Sequence, residues 1–257
     1  TTGVEKKYIS TVQGIRGKGN NFLNLFRFAK KVGAEIVVVV DADLKSITKE
    51  WVKYLGEPIA KGHDYVTPLY SRHQFDGTIT NHICYPAIFS LLSVDIRQPI
   101  GGEFSFSSRM INHLLEQRWH ECIRQYGIDI FMTLNAIIGG FKICQSNLGR
   151  KVHKASAPKL GIMFEQVIET LLTTLVEHKN IWMARNHTEI VTPKVLGVKT
   201  MAEPQEIDFN IHTLKRTCQR EYKKHATNIK KLLNQFTFLK IHEMFKMDIF
   251  DMDILLW

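Results

Sequence analysis

Residues 35–43 read Glu35-Ile36-Val37-Val38-Val39-Val40-Asp41-Ala42-Asp43. A run of β-branched residues stops at two carboxylates spaced i, i+2. Such a run predicts a strand buried on both faces, as in a parallel sheet. Ligands of open α/β sheets sit just outside the carboxyl ends of the strands. Two aspartates there, one small residue apart, can hold a hard divalent cation that is shared with a phosphate. The same residues also suit a polar turn whose Asp caps the next helix, with Ser46 or Thr48 opening a helix through Trp51 and Leu55. The spacing is short and common, so it leaves both readings open.

Upstream, residues 8–12 alternate weakly and predict a short strand. Gly14-Ile15-Arg16-Gly17-Lys18-Gly19 is a loop, after which Asn20 or Asn21 would cap a helix. Phe22, Leu25, Phe26 and Ala29 mark its apolar face, and Gly33 its end. With the strand at 35–40 this makes a β-loop-helix-β unit, the kind that builds parallel sheets.

Downstream, residues 51–59 read as helix, 65–70 as strand, 71–77 as a polar loop and 79–93 as helix. Gln98-Pro99-Ile100-Gly101-Gly102-Glu103 is a glycine-pair turn before a strand at 104–106. Residues 109–119 read as helix, and Asp129 heads an apolar segment that runs to Ile138. A strand is expected at 141–145. Leu160, Phe164, Val167, Ile168, Leu171, Leu172 and Leu175 keep a 3.6-residue period, which predicts an amphipathic helix. Residues 181–210 have no clear period and predict a linker or hairpin-like crossing. From His212 to about residue 240 the pattern is helical again.

The 257 residues are 44% hydrophobic and 23% charged, enough apolar material for one large or two small packed domains and unlike a disordered chain. The net charge of +9 favours anionic partners: nucleic acid, acidic membranes or phosphorylated metabolites. Cys84, Cys122, Cys144 and Cys218 are far apart and form no C-x-x-C, which argues against a zinc ribbon or redox pair and suits a reducing cytoplasm. No apolar run approaches the ~18–20 residues of a membrane span. The start at Thr1 and the end on Leu255-Leu256-Trp257 suggest a piece of a longer protein.

Several residues could carry chemistry. Lys18, between two glycines before a helix, would add a point charge to the anion-favouring helix N-terminus, or stand as a solvated lysine in a turn. Gly101 and Gly102 would let a ligand approach the main chain beside the carboxylate of Glu103, or form a plain tight turn. Asp129, next to an apolar run, would have a raised pKa and serve as base or hydrogen-bond acceptor, or cap the helix. His153 could complete a metal site begun by Asp41 and Asp43, though a lone His is more often a surface residue. Lys215, Arg216, Arg220, Lys223, Lys224, Lys230 and Lys231 form a basic helix face that offers only Tyr222 for stacking on bases.

The order of these motifs is more specific than any one of them. Arg16-Gly17-Lys18-Gly19 comes first, then Asp41-Ala42-Asp43-Leu44 and the turn 98–103. Tyr126-Gly127-Ile128-Asp129 follows, then Gln145-Ser146-Asn147-Leu148-Gly149 with His153, then the helix from Leu160. Over residues 10–178 this order resembles the retaining glycosyltransferases that include glucosyl-3-phosphoglycerate and mannosylglycerate synthases.

The resemblance implies an α/β fold of the GT-A type, a Rossmann-like mixed sheet flanked by helices. It implies a core at 1–180 and a linker with a helical extension at 181–257. The family's first strand, with its uracil-binding acids, would fall before residue 1. The implied activity is metal-dependent transfer of a hexose from a nucleotide-diphosphate sugar to a small hydroxy acid, glycerate or 3-phosphoglycerate, within compatible-solute synthesis. Lys18 would contact the donor diphosphate, and Asp41 the ribose and sugar. Asp43 and His153 would hold Mg²⁺ or Mn²⁺. Gly101, Gly102 and Glu103 would lie by the sugar and acceptor, Thr80 by the acceptor, and Asp129 near the reacting hydroxyl. Thr78 stands where the phosphoglycerate-using members carry a basic residue, which makes plain glycerate as plausible an acceptor, unless Arg72 or Arg109 replaces the clamp. Residues 212–257 could pair two chains into a homodimer or cover the site. The competing class is a non-enzymatic phosphate-ligand or nucleic-acid binding protein that uses Lys18 and the basic helix.

Overall fold

The computed structural model describes residues 13–73, 75–152, 160–200, 202–206 and 210–247. Helix α1 (Lys18–Val32) leads to strand β1 (Ile36–Val39), α2 (Lys49–Ala60) and β2 (Tyr65–Ser71). A π-helical turn (Thr80–Cys84) runs into α3 (Tyr85–Leu92). Strand β3 (Phe104–Ser107), α4 (Ser108–Glu116), α5 (Ile128–Ile138) and β4 (Ile143–Arg150) follow. Then come α6 (Leu160–Glu177), α7 (Lys179–Met183) and β5 (Lys194–Gly197).

These strands form one mixed sheet in the order β1-β3-β2-β4-β5. Only β3 is antiparallel to its neighbours, pairing Val39 with Phe104 on one side and Tyr65 with Phe106 on the other. β2 and β4, and β4 and β5, are parallel. Strands β1, β2 and β4 therefore share a direction, and their carboxyl ends share one edge with the start of β3.

Three layers bury the core. Phe104, Phe106 and Tyr65 point from one face of the sheet to Phe22 and Phe26 of α1, Met110 of α4 and Phe131 of α5. Val66, Cys144 and Leu148 point from the other face to Trp51 and Leu55 of α2. Residues Ile128 to Ile137 of α5 are all buried, as expected of a helix that is apolar on every side. Its outer flank packs with Ile88 and Leu92 of α3 and Leu171 and Leu175 of α6.

Several expectations change. Among the described residues β1 is an edge strand, with Ile36 exposed and only Val37 buried, so its apolar run does not mark a strand covered on both faces. α1 starts at Lys18 with Gly17 at its cap; the Asn20 amide is buried and donates to Gln13 O instead of capping. The stretch read as a linker contributes β5, a fifth strand, and the first compact unit runs Thr1–Glu206. Four residues with polar flanks are too few to show a period. The strand expected at 8–12 lies outside the described residues.

The second unit, Ile207–Trp257, holds α8 (Ile211–Leu232) and α9 (Gln235–Lys246). The single helical pattern is broken at Leu233, and Asn234 caps α9 by accepting from Thr237 N. Tyr222 is buried in this unit, its ring stacked on Phe245 at 4.0 Å.

Candidate active site

The shared edge gathers most of the charged residues singled out above. Asp41 follows β1, Tyr70 and Arg72 close β2, Glu103 precedes β3 and Lys151 follows β4. Lys18 opens α1 and Asp129 sits in the first turn of α5. Lys18 Nζ lies 3.2 Å from Asp41 Oδ1, 3.0 Å from Asp129 Oδ1 and 3.1 Å from Asp129 Oδ2. Lys151 Nζ donates to Gly101 O at 2.7 Å and to Glu103 Oε1 and Oε2 at 3.1 and 3.0 Å, and lies 3.4 Å from Asp41 Oδ2. The Tyr70 hydroxyl also donates to Glu103. Two lysines and three carboxylates thus make one chain of contacts, with Asp41 shared between the lysines.

Burial divides the cluster. The side chains of Glu103 and Lys151 are 0% and 4% exposed, while Lys18 and Asp41 keep 24% and 29% of their surface. Burial pushes Glu103 up to about 7, against the pull of Lys151. Burial likewise raises Asp129, although Lys18 opposes it. For Asp41 burial works the other way from the lysines, and Lys18 and Lys151 prevail, holding it below the usual carboxylate range. For Lys18 burial is outweighed by Asp129 and Asp41, which keep its pKa above the ordinary value.

The glycines are explained by their neighbours. A Cβ on Gly102, whose φ is +93°, would sit 2.0 Å from Asp41 Oδ2 and 3.0 Å from Lys151 Nζ. A Cβ on Gly101 would meet Pro68 Cγ at 2.0 Å. The pair therefore brings the main chain against β2 and the ion cluster, and the space beside it is filled by protein. The turn is further held by Gln98 Nε2 donating to Tyr70 O and by Thr133 Oγ1 donating to Pro99 O.

The helix N-terminus at Lys18 also departs from expectation. Gly19 N and Asn20 N donate to Gln125 O and Arg124 O at 2.9 and 2.6 Å. These amides are spent on the loop before α5, so an anion here would meet the Lys18 ammonium rather than a ring of backbone N–H groups. Asp129 does not cap α5; Gly127 holds that position.

Thr80 is buried, its hydroxyl 3.5 Å from Ile100 O, next to the glycine turn. Arg72 is 14% exposed, 3.8 Å from Asp76 and above the Tyr70 ring at 5.5 Å. Burial works against its charge, while Asp76, Asp41 and Asp129 favour it. Arg109 lies elsewhere: it pairs with Asp64 at the start of β2, the opposite edge, and stacks on Phe141. It is no substitute clamp.

Asp43 is exposed in the turn beyond β1, at the ligand edge. A carboxylate oxygen is the donor type that Mg²⁺ or Mn²⁺ takes, so Asp43 fits such an ion. His153 lies outside the described residues, and among those described no three His, Cys, Asp or Glu side chains gather as a metal cage. Lys151 and Tyr70 escaped the sequence reading. A lysine between an arginine and a valine carries no pattern, and only the positive φ of Gly149, +79°, hints at a chain turning inward there.

A mixed sheet with one reversed strand, helices on both faces and a charged cluster beyond the carboxyl ends defines a GT-A glycosyltransferase fold. The family profile described as "Mannosylglycerate synthase, GT domain" matches residues 4–167, and the chain belongs to that family. Among solved structures, glucosyl-3-phosphoglycerate synthase from Mycobacterium tuberculosis with Mn²⁺, UDP and glucosyl-3-phosphoglycerate is 26% identical with a TM-score of 0.52, over 64% of this chain and 56% of that one. The same enzyme with Mg²⁺ and UDP is 27% identical with a TM-score of 0.52, over 63% and 56%. With Mn²⁺, UDP-glucose and phosphoglyceric acid the values are 26% and 0.51, over 63% and 56%. The chain thus spans little more than half the length of these structures. No curated protein matches it.

Proposed function

We propose that this chain carries the catalytic domain of a metal-dependent retaining glycosyltransferase. It would move a hexose from a nucleoside-diphosphate sugar to a small hydroxy acid. The observation that carries this reading is the contact chain Asp129–Lys18–Asp41–Lys151–Glu103 at the ligand edge of a mannosylglycerate-synthase-type domain.

Lys18, a quarter exposed, is the cation that can reach the donor diphosphate and meet charge as it develops on the departing oxygen. Asp41, kept ionised by its two lysines, accepts from ribose and sugar hydroxyls. Asp43 and His153 would hold Mg²⁺ or Mn²⁺, which supplies further neutralisation of the leaving diphosphate. The acceptor oxygen bonds to sugar C1 as the bond from C1 to the diphosphate oxygen breaks, and the acceptor proton passes to that oxygen. Attack on the face the diphosphate leaves gives retention, in keeping with the family. Asp129, buried beside Lys18, orients a sugar or acceptor hydroxyl. Arg72 and Thr80 bind the acceptor, the guanidinium against its carboxylate.

The competing reading, a nucleic-acid binder, loses Tyr222, the aromatic of the basic helix face, which is buried against Phe245. The test is a thermal-shift panel of nucleoside diphosphates and their sugars with and without Mn²⁺, followed by a product assay with glycerate and 3-phosphoglycerate. Metal-dependent stabilisation by a nucleotide sugar and a glycosylated acid are expected. Salt-sensitive RNA binding with neither of these would overturn the reading.

A further inference from the structure

Two lysines meet the carboxylates of the site, and they are not equivalent. Lys18 is a quarter exposed, and its ion-pair partners among the described residues are the carboxylates of Asp41 and Asp129. Lys151 lies beneath, nearly closed off from solvent, and touches three separate parts of the chain. Its ammonium joins Asp41 after β1, the Gly101 carbonyl and Glu103 before β3, and the ring of Tyr70 in β2, whose centroid is 5.3 Å away. Three donors meet three acceptor groups, so its hydrogen-bonding capacity is used within the protein. Gly102 is packed so closely that a side chain there would strike Asp41 and approach Lys151.

We infer that Lys151 is a positioning residue: it ties the strand ends to the glycine turn and so sets where Asp41 and Glu103 face the sugar, without itself contacting the donor. The inference rests on the glycosyltransferase reading above. A buried amine with all three protons engaged has none to give a diphosphate, whereas Lys18 is reachable from solvent. The carboxylates, in turn, are aimed by an atom fixed to the end of β4, across β3 and β2 from the strand that carries Asp41. A small displacement of such groups lowers rate far more than it weakens ground-state binding.

The test uses the full chain with Lys151→Met and Lys151→Arg. Steady-state kinetics should show kcat for Lys151→Met falling at least about tenfold with the donor KM within about twofold, the pattern of an interaction felt in the transition state. Lys151→Arg, which keeps the charge, should recover part of kcat. Hydrogen exchange at the amides of Gly102 and Glu103 should quicken in the Met variant and not in Lys18→Met. Should Lys151→Met fail to fold, Lys151→Gln replaces it, since its amide can still donate to Gly101 O, and the same kinetic split and exchange are expected. A raised donor KM with kcat retained would make Lys151 a substrate ligand and overturn the inference, as would unchanged exchange. If wild-type protein transfers no sugar, the functional reading fails, and the exchange at residues 102 and 103 still decides the role of Lys151.

Discussion

Lys18 Nζ lies 3.0 Å from Asp129 Oδ1, although 111 positions separate the two residues. The first residue of α1 and the first turn of α5 are brought together because Gly19 and Asn20 donate to the loop just before α5. Asp129 is thereby a carboxyl group facing the Lys18 ammonium inside the site, not a helix cap. Asp129→Asn should keep the fold, because Gly127 is the cap, and should lower kcat at least about tenfold with little change in donor KM. Equal losses in stability and turnover would return Asp129 to a structural role.

Glu103 makes stability depend on pH. Its folded pKa of about 7 stands above the ordinary 4.5, through burial that Lys151 only partly offsets. The folded state therefore holds this proton more tightly than the unfolded chain does. The resulting stability is complete below about pH 4.5 and is lost as pH rises through about 7. Glu103→Gln mimics the protonated form, so its Tm relative to wild type should rise between pH 5 and pH 8. Parallel Tm profiles over that range would remove Glu103 as the cause.

Gly102 tests the packing of the turn. Gly102→Ala adds a methyl 2.0 Å from Asp41 Oδ2 at a φ of +93°, and should cost about 1–3 kcal/mol with most of the activity lost. Gly140→Ala is the comparison: its φ of +64° is also left-handed, but nothing lies within 4 Å. It should cost only about 1 kcal/mol and leave activity in place. Urea unfolding and initial rates of the two variants check this.

On the proposed reading, Arg72 binds the acceptor. One guanidinium matches one anionic group, and Thr78 adds no second cation for a phosphate. Glycerate should therefore be preferred over 3-phosphoglycerate at equal concentration. Arg72→Ala should raise the acceptor KM about tenfold or more and leave the donor KM nearly unchanged. Preference for 3-phosphoglycerate, or an unmoved acceptor KM, would shift the clamp to another residue.

What the sequence discloses and what it hides divide along physical lines. β1 and its two aspartates are legible because a β-branched run ending in carboxylates is a local pattern. The helix at Leu160–Glu177 is legible from its period. β5 is not, since four residues at the end of a sheet need little apolar character of their own. Nor is the pairing of β1 with the reversed strand β3, which comes from a segment about 65 positions later. Lys18, Glu103 and Asp129 stand out by their glycine-rich or apolar surroundings. Lys151 does not, because its role comes from partners 48 to 110 positions away. Arg109 and Arg72 look alike in sequence, and only strand direction separates them to opposite edges.

The strand order also dictates a timetable for synthesis. β2 lies between β3 and β4, so a chain emerging from its amino end can pair β1, β3 and β2 before β4 exists. At that stage the carboxylates of Asp41 and Glu103 have no Lys151 beside them, and Asp129 has only Lys18. Sealing Glu103 from water must wait for residue 151, the last of the five to leave the ribosome. A nascent domain halted before that point keeps a wet, negatively charged edge. The charged cluster thus closes with the arrival of one lysine, while the sheet is completed only when β5 emerges about forty residues later.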